Sequence, residues 1–533
     1  MKYVKGAPPM STIDSAPRGF TDKFLTGVER VGNKLPDPFM LFLILFGITA
    51  AVSTAMAWAN VTVQLPGSDE ITEIKGLFTA EGLTWLTTNL GPNYLGFPPL
   101  ATVLPILLAV GVAEKSGLLA AMIRKAFGSA PRWALPYAVG VVGVTGSIMS
   151  DAAFVVIPPL AALVFKAAGR HPVAGLLGGF AAAGAGYSTN VLVTSLDALF
   201  AGITTAVTET LPNAGSAVTP VSNYFFNVVS SIILMAIAGF VIDKILEPRL
   251  TRQGIPREEI RDADAPAAPT SAELSADLTA TESKGLRWAL VSGVMLAAVL
   301  VVAFVLPASP WRNEDGGFLP TSPLLGSIVF VVFSMFVVPG LVYGKIVGTI
   351  TTGRDVPRVM GEAIKDMAGF LVLAFILGQF IALFNWSGIG QWIAVAGAGG
   401  LEAIGLTGYP AILAFILLAS LLNLFIISGS AMWTLMAAVF VPLFVLLGYE
   451  PAFIQAAFRV GDSATQVITP LNPYMIVLLT MLRKYEPDAG LGTLMARMLP
   501  FVVPFWIAWV AILSVFFFLD LPLGPGNGIF LPE

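Results

Sequence analysis

The 533-residue sequence contains no cysteine and a single histidine, His171. These absences exclude a disulfide framework, a thiolate nucleophile and a multi-histidine zinc or haem centre. Charge is also scarce, because Lys, Arg, Asp and Glu make up 12% of the residues, where a soluble domain carries about a quarter. The net charge of −4 argues against nucleic acid as a partner. Soluble, nucleic-acid-binding and thiol-dependent classes are therefore set aside.

Hydrophobic residues make up 56% of the chain. A soluble protein of this composition would lack the polar residues to cover its surface, so the sequence predicts an all-α polytopic membrane protein. Nine apolar runs are long enough to cross about 30 Å of hydrocarbon as helices. They lie at 37–58, 97–123, 173–207, 221–246, 287–307, 323–344, 367–385, 451–481 and 496–519.

Two further apolar regions, 133–166 and 406–447, are interrupted by small polar residues. The interruptions are Gly146-Ser-Ile-Met-Ser-Asp151 and Ser428-Gly-Ser-Ala-Met-Trp-Thr434. Each region fits either a pair of full spans or a re-entrant hairpin, and both arrangements keep the same loops on each side. The polar, glycine-rich centres favour hairpins, because irregular backbone at membrane depth is tolerated only inside a protein or along a polar cavity.

Positive charge gives the expected orientation, since cytoplasmic loops are enriched in Lys and Arg. Lys and Arg concentrate in 1–36, 124–132, 166–170, 244–287, 345–365 and 483–497. Region 133–166 has basic residues at both ends, and region 406–447 has none at either end. We therefore expect nine spans and two opposed hairpins in a bacterial inner membrane, with a cytoplasmic N-terminus and a periplasmic C-terminus.

Composition and hydropathy divide the chain into five expected segments. They are a cytoplasmic N-terminal segment (1–36), a first transmembrane half (37–247) with hairpin 133–166 and broken helix 173–207, a cytoplasmic linker (248–286), a second transmembrane half (287–519) with hairpin 406–447 and broken helix 451–481, and a periplasmic tail (520–533). The linker is rich in Ala, Pro, Asp, Glu and Ser, a composition typical of mobile connectors.

The two halves resemble each other locally. The segment Ser188–Asp197 aligns without gaps with Ser463–Asn472, Gly146–Met149 matches Gly429–Met432, and Ser116-Gly117 matches Ser387-Gly388. The first unit begins its span outside and the second begins inside, which predicts an inverted-topology repeat. Secondary transporters are built in this way and bind substrate and coupling ions near the midplane.

Four ionisable residues fall well inside apolar segments: Asp151, Asp197, Arg459 and Asp462. Because charge there is costly, each is a candidate site residue. Asp151 and Asp197 are expected either to face substrate or a cation or to cap helices. Arg459 and Asp462 are three residues apart on a helix, and two roles are open for them. Either they form a structural ion pair, or Arg459 binds a substrate carboxylate while Asp462 binds the coupling cation.

Oxygen-bearing side chains near these charges are candidate Na⁺ ligands. They are Ser188, Asn190, Asn423 and Ser463, with Asp462 as the carboxylate. Pro470 and Asn472 break the late span and free its backbone carbonyls, which suits a substrate site or a simple kink. Trp433 is expected either to stack on an aromatic ligand or to pack or anchor at the interface. His171 is expected to be an exposed turn residue.

At these residues the chain resembles the AbgT family of bacterial p-aminobenzoyl-glutamate transporters. The stretches Ser430-Ala-Met-Trp433, Phe458-Arg-Val-Gly-Asp-Ser463 and Thr469-Pro-Leu-Asn-Pro473 carry the resemblance, which extends over nearly the whole chain. It implies a homodimer with nine spans and two opposed hairpins per protomer, and a bowl open to the cytoplasm. It also implies functional roles for the positions listed here: Asp197, Asn423, Ser430, Trp433, Pro451, Arg459, Asp462 and Pro470.

The sequence thus predicts an ion-coupled secondary transporter of p-aminobenzoyl-glutamate or related folate-pathway aromatics, with export of sulfonamide-type antimetabolites as a second mode. We expect no enzymatic activity, no cofactor beyond Na⁺ or H⁺ as coupling ion, and no nucleic-acid partner. The alternative is a Na⁺-coupled dicarboxylate symporter. Divalent-anion:sodium symporters, to which the chain bears a more distant similarity, have Ser-Asn-Thr at the hairpin tips. This chain has Ser150-Asp-Ala152 and Trp433-Thr-Leu435 there, which makes a dicarboxylate substrate less favoured.

Overall fold

The computed structural model describes residues 36–532 with the exception of 65–70, 129, 210, 212–213, 259–277, 320–321, 427 and 470–471. The expected N-terminal segment, except residue 36, and residues 259–277 of the expected linker lie outside the described residues. The described part is mostly helical. Its short antiparallel pair of strands, Thr62–Gln64 and Ile71–Glu73, places Val63 opposite Thr72.

The helices follow one another with short connections. In the first half they are Pro38–Trp58, Ala80–Leu95, Pro98–Lys115, Leu118–Gly128, Leu135–Gly146, Asp151–Ala167, Pro172–Ala185, Ser195–Thr208, Tyr224–Phe240 and, after a π-helical turn at Val241–Leu246, Glu247–Arg252. In the second half they are Ala280–Val305, Pro323–Gly326, Ile328–Val347, Asp355–Asp366, Ala368–Trp386, Ile389–Ala403, Gly408–Leu422, Gly429–Leu446, Pro451–Thr465, Pro473–Leu482 and Leu491–Phe518.

Nine helices of the described part are long and apolar enough to cross a membrane. They are Pro38–Trp58, Ala80–Lys115, Tyr224–Arg252, Ala280–Val305, Ile328–Val347, Ala368–Trp386, Gly429–Leu446, Pro451–Leu482 and Leu491–Phe518. Every predicted span except 173–207 overlaps one of them. Residues 173–207 form two short apolar helices instead, because the polar stretch between them leaves the helical conformation.

The first hairpin consists of Leu135–Gly146 and Asp151–Ala167, joined by a 3₁₀ turn at Ser147–Met149. The first broken span follows it and consists of Pro172–Ala185 and Ser195–Thr208. Glycines let the hairpin and the span pack closely, since a Cβ on Gly175 would lie 2.5 Å from the Ala161 carbonyl oxygen. A Cβ on Gly186, at the start of the break, would lie 2.4 Å from the Val144 carbonyl oxygen, so the break between the two short helices lies beside the hairpin tip.

The second half repeats this order. The second hairpin consists of Gly408–Leu422 and Gly429–Leu446, and the second broken span consists of Pro451–Thr465 and Pro473–Leu482. Helix Ile389–Ala403 meets the entering helix of this hairpin at a bend of 118°, as expected for a chain that turns back at a membrane surface. The two opposed hairpins and the inverted repeat predicted from the sequence are thus confirmed.

Matching turns mark the repeat most clearly. Ser116 and Ser387 each end a helix, and each hydroxyl accepts from the backbone N–H two residues later at 3.4 Å. Gly117 and Gly388, which follow them, have φ angles of +89° and +78°, a conformation that favours glycine. The Ser-Gly match in the sequence therefore marks equivalent turns.

The other two sequence matches pair residues that do not occupy equivalent positions in the two structural repeats. Gly146 ends the entering helix of its hairpin, whereas Gly429 begins the returning helix of the other. The helix boundaries pair Pro172 with Pro451, and this register differs from the ungapped sequence alignment by about one helical turn. Small polar residues occur on both sides of each break, so a local match in composition does not fix the register.

Candidate functional site

The centre of the molecule lies where the two broken spans cross. Every residue of Pro172–Ala185 and of Pro451–Thr465 is buried, so the ends of these helices lie in the protein interior. After Gly186 the chain is non-helical until Thr194, whose side chain accepts from the Asp197 N–H and caps the next helix. Ser188, Thr189, Asn190 and Thr194 of this break are buried, while Leu192 is exposed. Most of its polar groups are thus enclosed by protein, which is the condition for irregular backbone at membrane depth.

Asp197 uses its two carboxylate oxygens differently. Its Oδ2 accepts from the backbone N–H of Thr194 at 2.7 Å and from the Thr194 hydroxyl at 2.8 Å, which completes a capping box. Its Oδ1 accepts from Asn227 at 2.9 Å and lies 2.8 Å from Arg459 Nη1. Asp197 is therefore both a helix cap and a partner for a charge on the other repeat.

Arg459 joins the two broken spans. Its Nη1 also donates to the Ser188 carbonyl oxygen at 2.7 Å, its Nε donates to Asn223 Oδ1 at 3.2 Å, and its guanidinium lies 5.1 Å from the centre of the Phe200 ring. Arg459 and Asp197 are only 2% and 3% exposed. The ion pair of Arg459 is thus formed with Asp197, not with Asp462 as one interpretation of the three-residue spacing had it. The helix of Arg459 crosses the break that precedes Asp197.

Asp462 lies on the same helix as Arg459. Ser188 Oγ donates to Asp462 Oδ2 at 3.1 Å, and Asn423 Nδ2 donates to the backbone oxygen of Asp462 and to Thr465 Oγ1. Within the described residues, Asp462 Oδ1, Asn423 Oδ1 and Ser463 Oγ are buried and have no hydrogen-bond partner. Carboxylate, amide and hydroxyl oxygens of this kind are suitable ligands for Na⁺. The predicted cation site at these residues stays a prediction.

Asn190, also predicted as a cation ligand, ties the first break to the first hairpin tip. Its Nδ2 donates to the carbonyl oxygens of Val144 and Thr145, each at 3.1 Å, and to Ser147 Oγ at 3.0 Å. Its Oδ1 accepts from the Leu192 N–H at 3.1 Å. In this conformation its side chain is a brace between the span and the hairpin.

Trp433 lies on the returning helix of the second hairpin and is fully buried. Its ring packs at 4.6 Å from that of Phe458, and its indole N–H donates to Thr204 Oγ1 at 3.1 Å. Ser430, one turn earlier, is 8% exposed and lies 3.0 Å from Ser428 Oγ. In this conformation Trp433 lines the core beside the Arg459 network, and the predicted stacking on a ligand stays a prediction.

The remaining predicted positions lie at helix starts. Asp151 begins the returning helix of the first hairpin and is exposed, and the preceding Ser150 has a φ of +50°, a strained conformation for a residue with a side chain. Pro451 occupies the first turn of the second broken span. Asn472 Oδ1 accepts from the Tyr474 N–H at 2.9 Å and caps Pro473–Leu482. Pro470 lies outside the described residues.

Four polar residues of the network were missed from the sequence: Thr204, Asn223, Asn227 and Gln455. The Gln455 amide lies 2.6 Å from Thr204 Oγ1 and 2.8 Å from Asn223 Oδ1. Asn223 and Asn227 stand four residues apart at the start of an otherwise apolar helix, a spacing that puts two amides on one face. That spacing is the signal that would have identified this pair.

His171 was expected to be exposed and is instead fully buried. It precedes Pro172 at the turn between the first hairpin and the first broken span. Its backbone N–H donates to Glu247 Oε1 at 3.0 Å, and its Nε2 lies 3.1 Å from the Ile255 carbonyl oxygen. Neighbouring Arg170 pairs with Asp243 and Glu247, each at 2.5 Å. The turn is covered by the end of helix Glu247–Arg252 and the chain after it, a tertiary contact that sequence does not indicate.

Comparison with known proteins decides the family. The model of the AbgT transporter family matches residues 23–531. The chain belongs to the AbgT family. It is 36% identical over 518 residues to the p-aminobenzoyl-glutamate transport protein of Escherichia coli strain K12, and the match covers 97% of this chain and 98% of that protein. The chain is therefore a transporter with a small-molecule substrate, and the dicarboxylate symporter alternative is not supported.

Two solved AbgT structures have the same fold. The YdaH transporter of Alcanivorax borkumensis superposes with a TM-score of 0.84 at 35% identity, covering 92% of this chain and all of that one. MtrF of Neisseria gonorrhoeae, which belongs to a class of antimetabolite efflux pumps, superposes with a TM-score of 0.85 at 38% identity, covering 95% of this chain and all of that one. The topology with hairpins and broken spans is that of AbgT transporters, and the chain is a multi-pass bacterial membrane protein.

Proposed function

We propose that this AbgT protein transports p-aminobenzoyl-glutamate or related folate-pathway aromatics, and sulfonamide-type antimetabolites, across the bacterial inner membrane by alternating access. The observation that carries the proposal is the buried Arg459 placed between the two breaks, with Asp197 and Asp462 beside it. A guanidinium in this position suits the bidentate binding of a carboxylate. The names of its relatives supply the substrate class.

Arg459 and Asp197 support a competitive binding step. In the present conformation Asp197 neutralises Arg459 at 2.8 Å. A glutamyl carboxylate that enters the site takes the place of Asp197 as the partner of Arg459, and the aminobenzoyl ring stacks against the Trp433–Phe458 pair. Because an unpaired buried charge is costly, substrate arrival and release of Asp197 are coupled.

The coupling ion is Na⁺ or H⁺. Asp462 Oδ1, Asn423 Oδ1 and Ser463 Oγ supply oxygen ligands for Na⁺ next to Arg459. The ion site and the substrate site share the helix Pro451–Thr465, so occupation of one bears directly on the other.

Positive charge in the loops supports a cytoplasmic N-terminus and a periplasmic C-terminus. We further propose a homodimer with no nucleic-acid partner. We also propose that the protein acts by transport and not by catalysis, because its family is one of transporters.

Proteoliposomes test the proposal directly. Uptake and counterflow of labelled p-aminobenzoyl-glutamate are measured under an imposed Na⁺ gradient and then a pH gradient, in both membrane orientations. Wild type is compared with Asp197→Asn, Asp462→Asn and the control Asp366→Asn, whose exposed carboxylate pairs with Lys115. We expect the control to transport normally and the two site variants to lose transport. Normal transport in both site variants, or competition by succinate and not by p-aminobenzoyl-glutamate, overturns the proposal.

A further inference from the structure

A chain of hydrogen bonds connects Trp433 with Arg459, the two residues to which the proposed function assigns the ring and the carboxylate of the ligand. The Trp433 indole N–H donates to Thr204 Oγ1 at 3.1 Å. Thr204 Oγ1 lies 2.6 Å from the Gln455 amide, and that amide lies 2.8 Å from Asn223 Oδ1. Asn223 Oδ1 also accepts from Arg459 Nε at 3.2 Å. Thr204, Gln455 and Asn223 therefore form a relay between the indole and the guanidinium.

The relay exists in both orientations of the Gln455 amide. In one orientation Nε2 donates to Asn223 Oδ1, and Oε1 accepts from the Thr204 hydroxyl. In the other, which a half-turn of the amide produces, Nε2 donates to Thr204 Oγ1 at 2.6 Å and Oε1 accepts from Arg459 Nη2 at 3.3 Å. Because an amide carries both donors and an acceptor, Gln455 joins Thr204 to Arg459 either through Asn223 or directly.

The relay joins elements of both halves in the protein interior. Trp433 belongs to the second hairpin, Thr204 to the first broken span, and Gln455 and Arg459 to the second broken span, one turn apart. Asn223 stands at the start of the helix that follows the first broken span. All five side chains are at most 2% exposed. Since hydrogen bonds in such an interior are strong and a lost partner is costly, the relay holds its two ends in a fixed relation.

The relay leaves free the parts of both end residues that a ligand would contact. It holds Arg459 through Nε or Nη2, whereas Asp197 pairs with Nη1. A ligand carboxylate can therefore take the place of Asp197 while the relay still holds the guanidinium. Trp433 is held through the N–H at the edge of its ring, so the relay does not use the face of the indole.

We propose that Thr204 and Gln455 are positioning residues that fix the separation between the Trp433 ring and the Arg459 guanidinium. This separation selects ligands by the length of the linker between their aromatic ring and their carboxylate. The proposal rests on the transport function proposed above and deepens it. A ligand of matching length binds with the relay intact. A ligand of another length reaches both groups only if the relay breaks, which leaves buried polar groups without partners.

Two substitutions cut the relay and leave the neighbouring groups paired. Thr204→Val removes the hydroxyl, but the Trp433 N–H keeps a second acceptor, the Phe200 carbonyl oxygen at 3.3 Å. Gln455→Leu removes the amide, but the Thr204 hydroxyl keeps the same carbonyl oxygen at 2.9 Å, and Asn223 Oδ1 still accepts from the guanidinium. We therefore expect both variants to fold. Thr204→Ser retains the hydroxyl and is the conservative variant.

Thr434→Val is the matched control. Thr434 and Thr204 are both fully buried, and each hydroxyl donates to the carbonyl oxygen four residues earlier in its own helix, at 2.8 and 2.9 Å. The described hydrogen bond of Thr434 stays within that helix, although Thr434 is next to Trp433 in the chain. A general effect of losing a buried hydroxyl therefore appears in both valine variants, and an effect of the relay appears at Thr204 alone.

Ligand selectivity tests the proposal. Dissociation constants are measured by calorimetry on purified full-length protein for three ligands, p-aminobenzoyl-glycine, p-aminobenzoyl-β-alanine and p-aminobenzoyl-γ-aminobutyrate, whose single carboxylate moves out by one methylene at a time. We expect wild type, Thr204→Ser and Thr434→Val to bind the best of them at least about tenfold more tightly than the worst, and Thr204→Val and Gln455→Leu to reduce this ratio to about threefold or less. Equal affinities in wild type, or an unchanged ratio in both relay variants, overturns the proposal.

A second measurement needs no ligand. The protein is labelled with fluorotryptophan, and the fluorine NMR signal of Trp433 is assigned by its loss in Trp433→Phe. Asn223→Ala changes the far end of the relay, and we expect it to shift the Trp433 signal in the wild-type background and not in Gln455→Leu. The same shift in both backgrounds overturns the relay. Failure of all three ligands to bind, with the Trp433 signal still coupled to Asn223, would instead overturn the proposed substrate class.

Discussion

Arg459, on the second broken span, forms an ion pair with Asp197, on the first, with Nη1 and Oδ1 2.8 Å apart and both side chains almost completely buried. The pair connects the two halves of the repeat. Its remaining hydrogen bonds, from Thr194 and Asn227 to Asp197 and from Arg459 to Ser188 and Asn223, leave both charged groups well satisfied. Such a pair is costly to break from one side only, because the other charge stays buried.

The two single replacements in this pair should therefore destabilise the protein by more, when their losses are added, than the double replacement does. We expect Asp197→Asn and Arg459→Gln each to reduce the free energy of unfolding by about 3–5 kcal/mol, and the double variant to lose less than the sum. Thermal unfolding in detergent measures this. The exposed pair Lys115–Asp366 is the control, for which the same changes should cost about 1 kcal/mol or less. Additive losses at Arg459 and Asp197 would contradict the coupling.

Asn223 should affect the binding of anionic ligands. Asn223→Ala removes a hydrogen-bond partner of both Arg459 Nε and the Gln455 amide. We expect the conformation that holds Arg459 in the site to lose about 1–3 kcal/mol of free energy as a result. We expect KM to rise at least tenfold for p-aminobenzoyl-glutamate and little for an uncharged aromatic analogue. Asn89→Ala is the control, since Asn89 bonds only within its own helix region, to Trp85 at 2.9 Å and to Thr88. An equal rise in KM for both ligands would argue against a role through Arg459.

His171 should make stability depend on pH at the turn before the first broken span. Burial lowers the pKa of His171 from its usual 6.5, and Arg257 and Arg497 lower it further. Below about pH 6.5 the unfolded chain binds a proton at His171 more readily than the folded protein does. The stability of the fold is therefore unaffected by His171 above about pH 6.5 and falls as the pH drops below it. We expect the Tm to fall between pH 7.5 and 5.5, and His171→Gln to flatten that dependence. An unchanged pH profile in the variant would exclude His171 as the source.

Glu450, which precedes the second broken span, should make stability depend on pH in the opposite direction. It stands before Pro451, is 2% exposed, and accepts from the Ser216 hydroxyl at 2.9 Å and from the Ser216 N–H at 3.2 Å. Burial raises the pKa of Glu450 above its usual 4.5, so its contribution falls as the pH rises from 4.5 towards the folded pKa. Glu450→Gln keeps an acceptor without the charge, and we expect it to raise the Tm at pH 7 and to lose that advantage at pH 4.5. A lower Tm at pH 7 would contradict this sign.

Much of the fold could be predicted because the bilayer imposes length and polarity on each segment. The apolar runs, the two interrupted regions and the Ser-Gly turns at 116–117 and 387–388 are local patterns, and the structure has each of them as helix, hairpin or turn. Scarcity of charge directed attention to Asp197, Arg459 and Asp462, since buried charge in a membrane is rare. The structure brings these three to the crossing of the broken spans.

Sequence by itself therefore determined the class of protein, the repeat and the short set of charged residues. Only the tertiary structure decided the partners: Arg459 with Asp197 and not Asp462, Asn223 and Gln455 as their neighbours, and His171 in the interior. The physical reason is that hydropathy is a property of each segment, whereas a hydrogen-bond partner depends on which segments cross. Two broken helices from distant parts of the chain cross here, and local spacing carries no information about that contact.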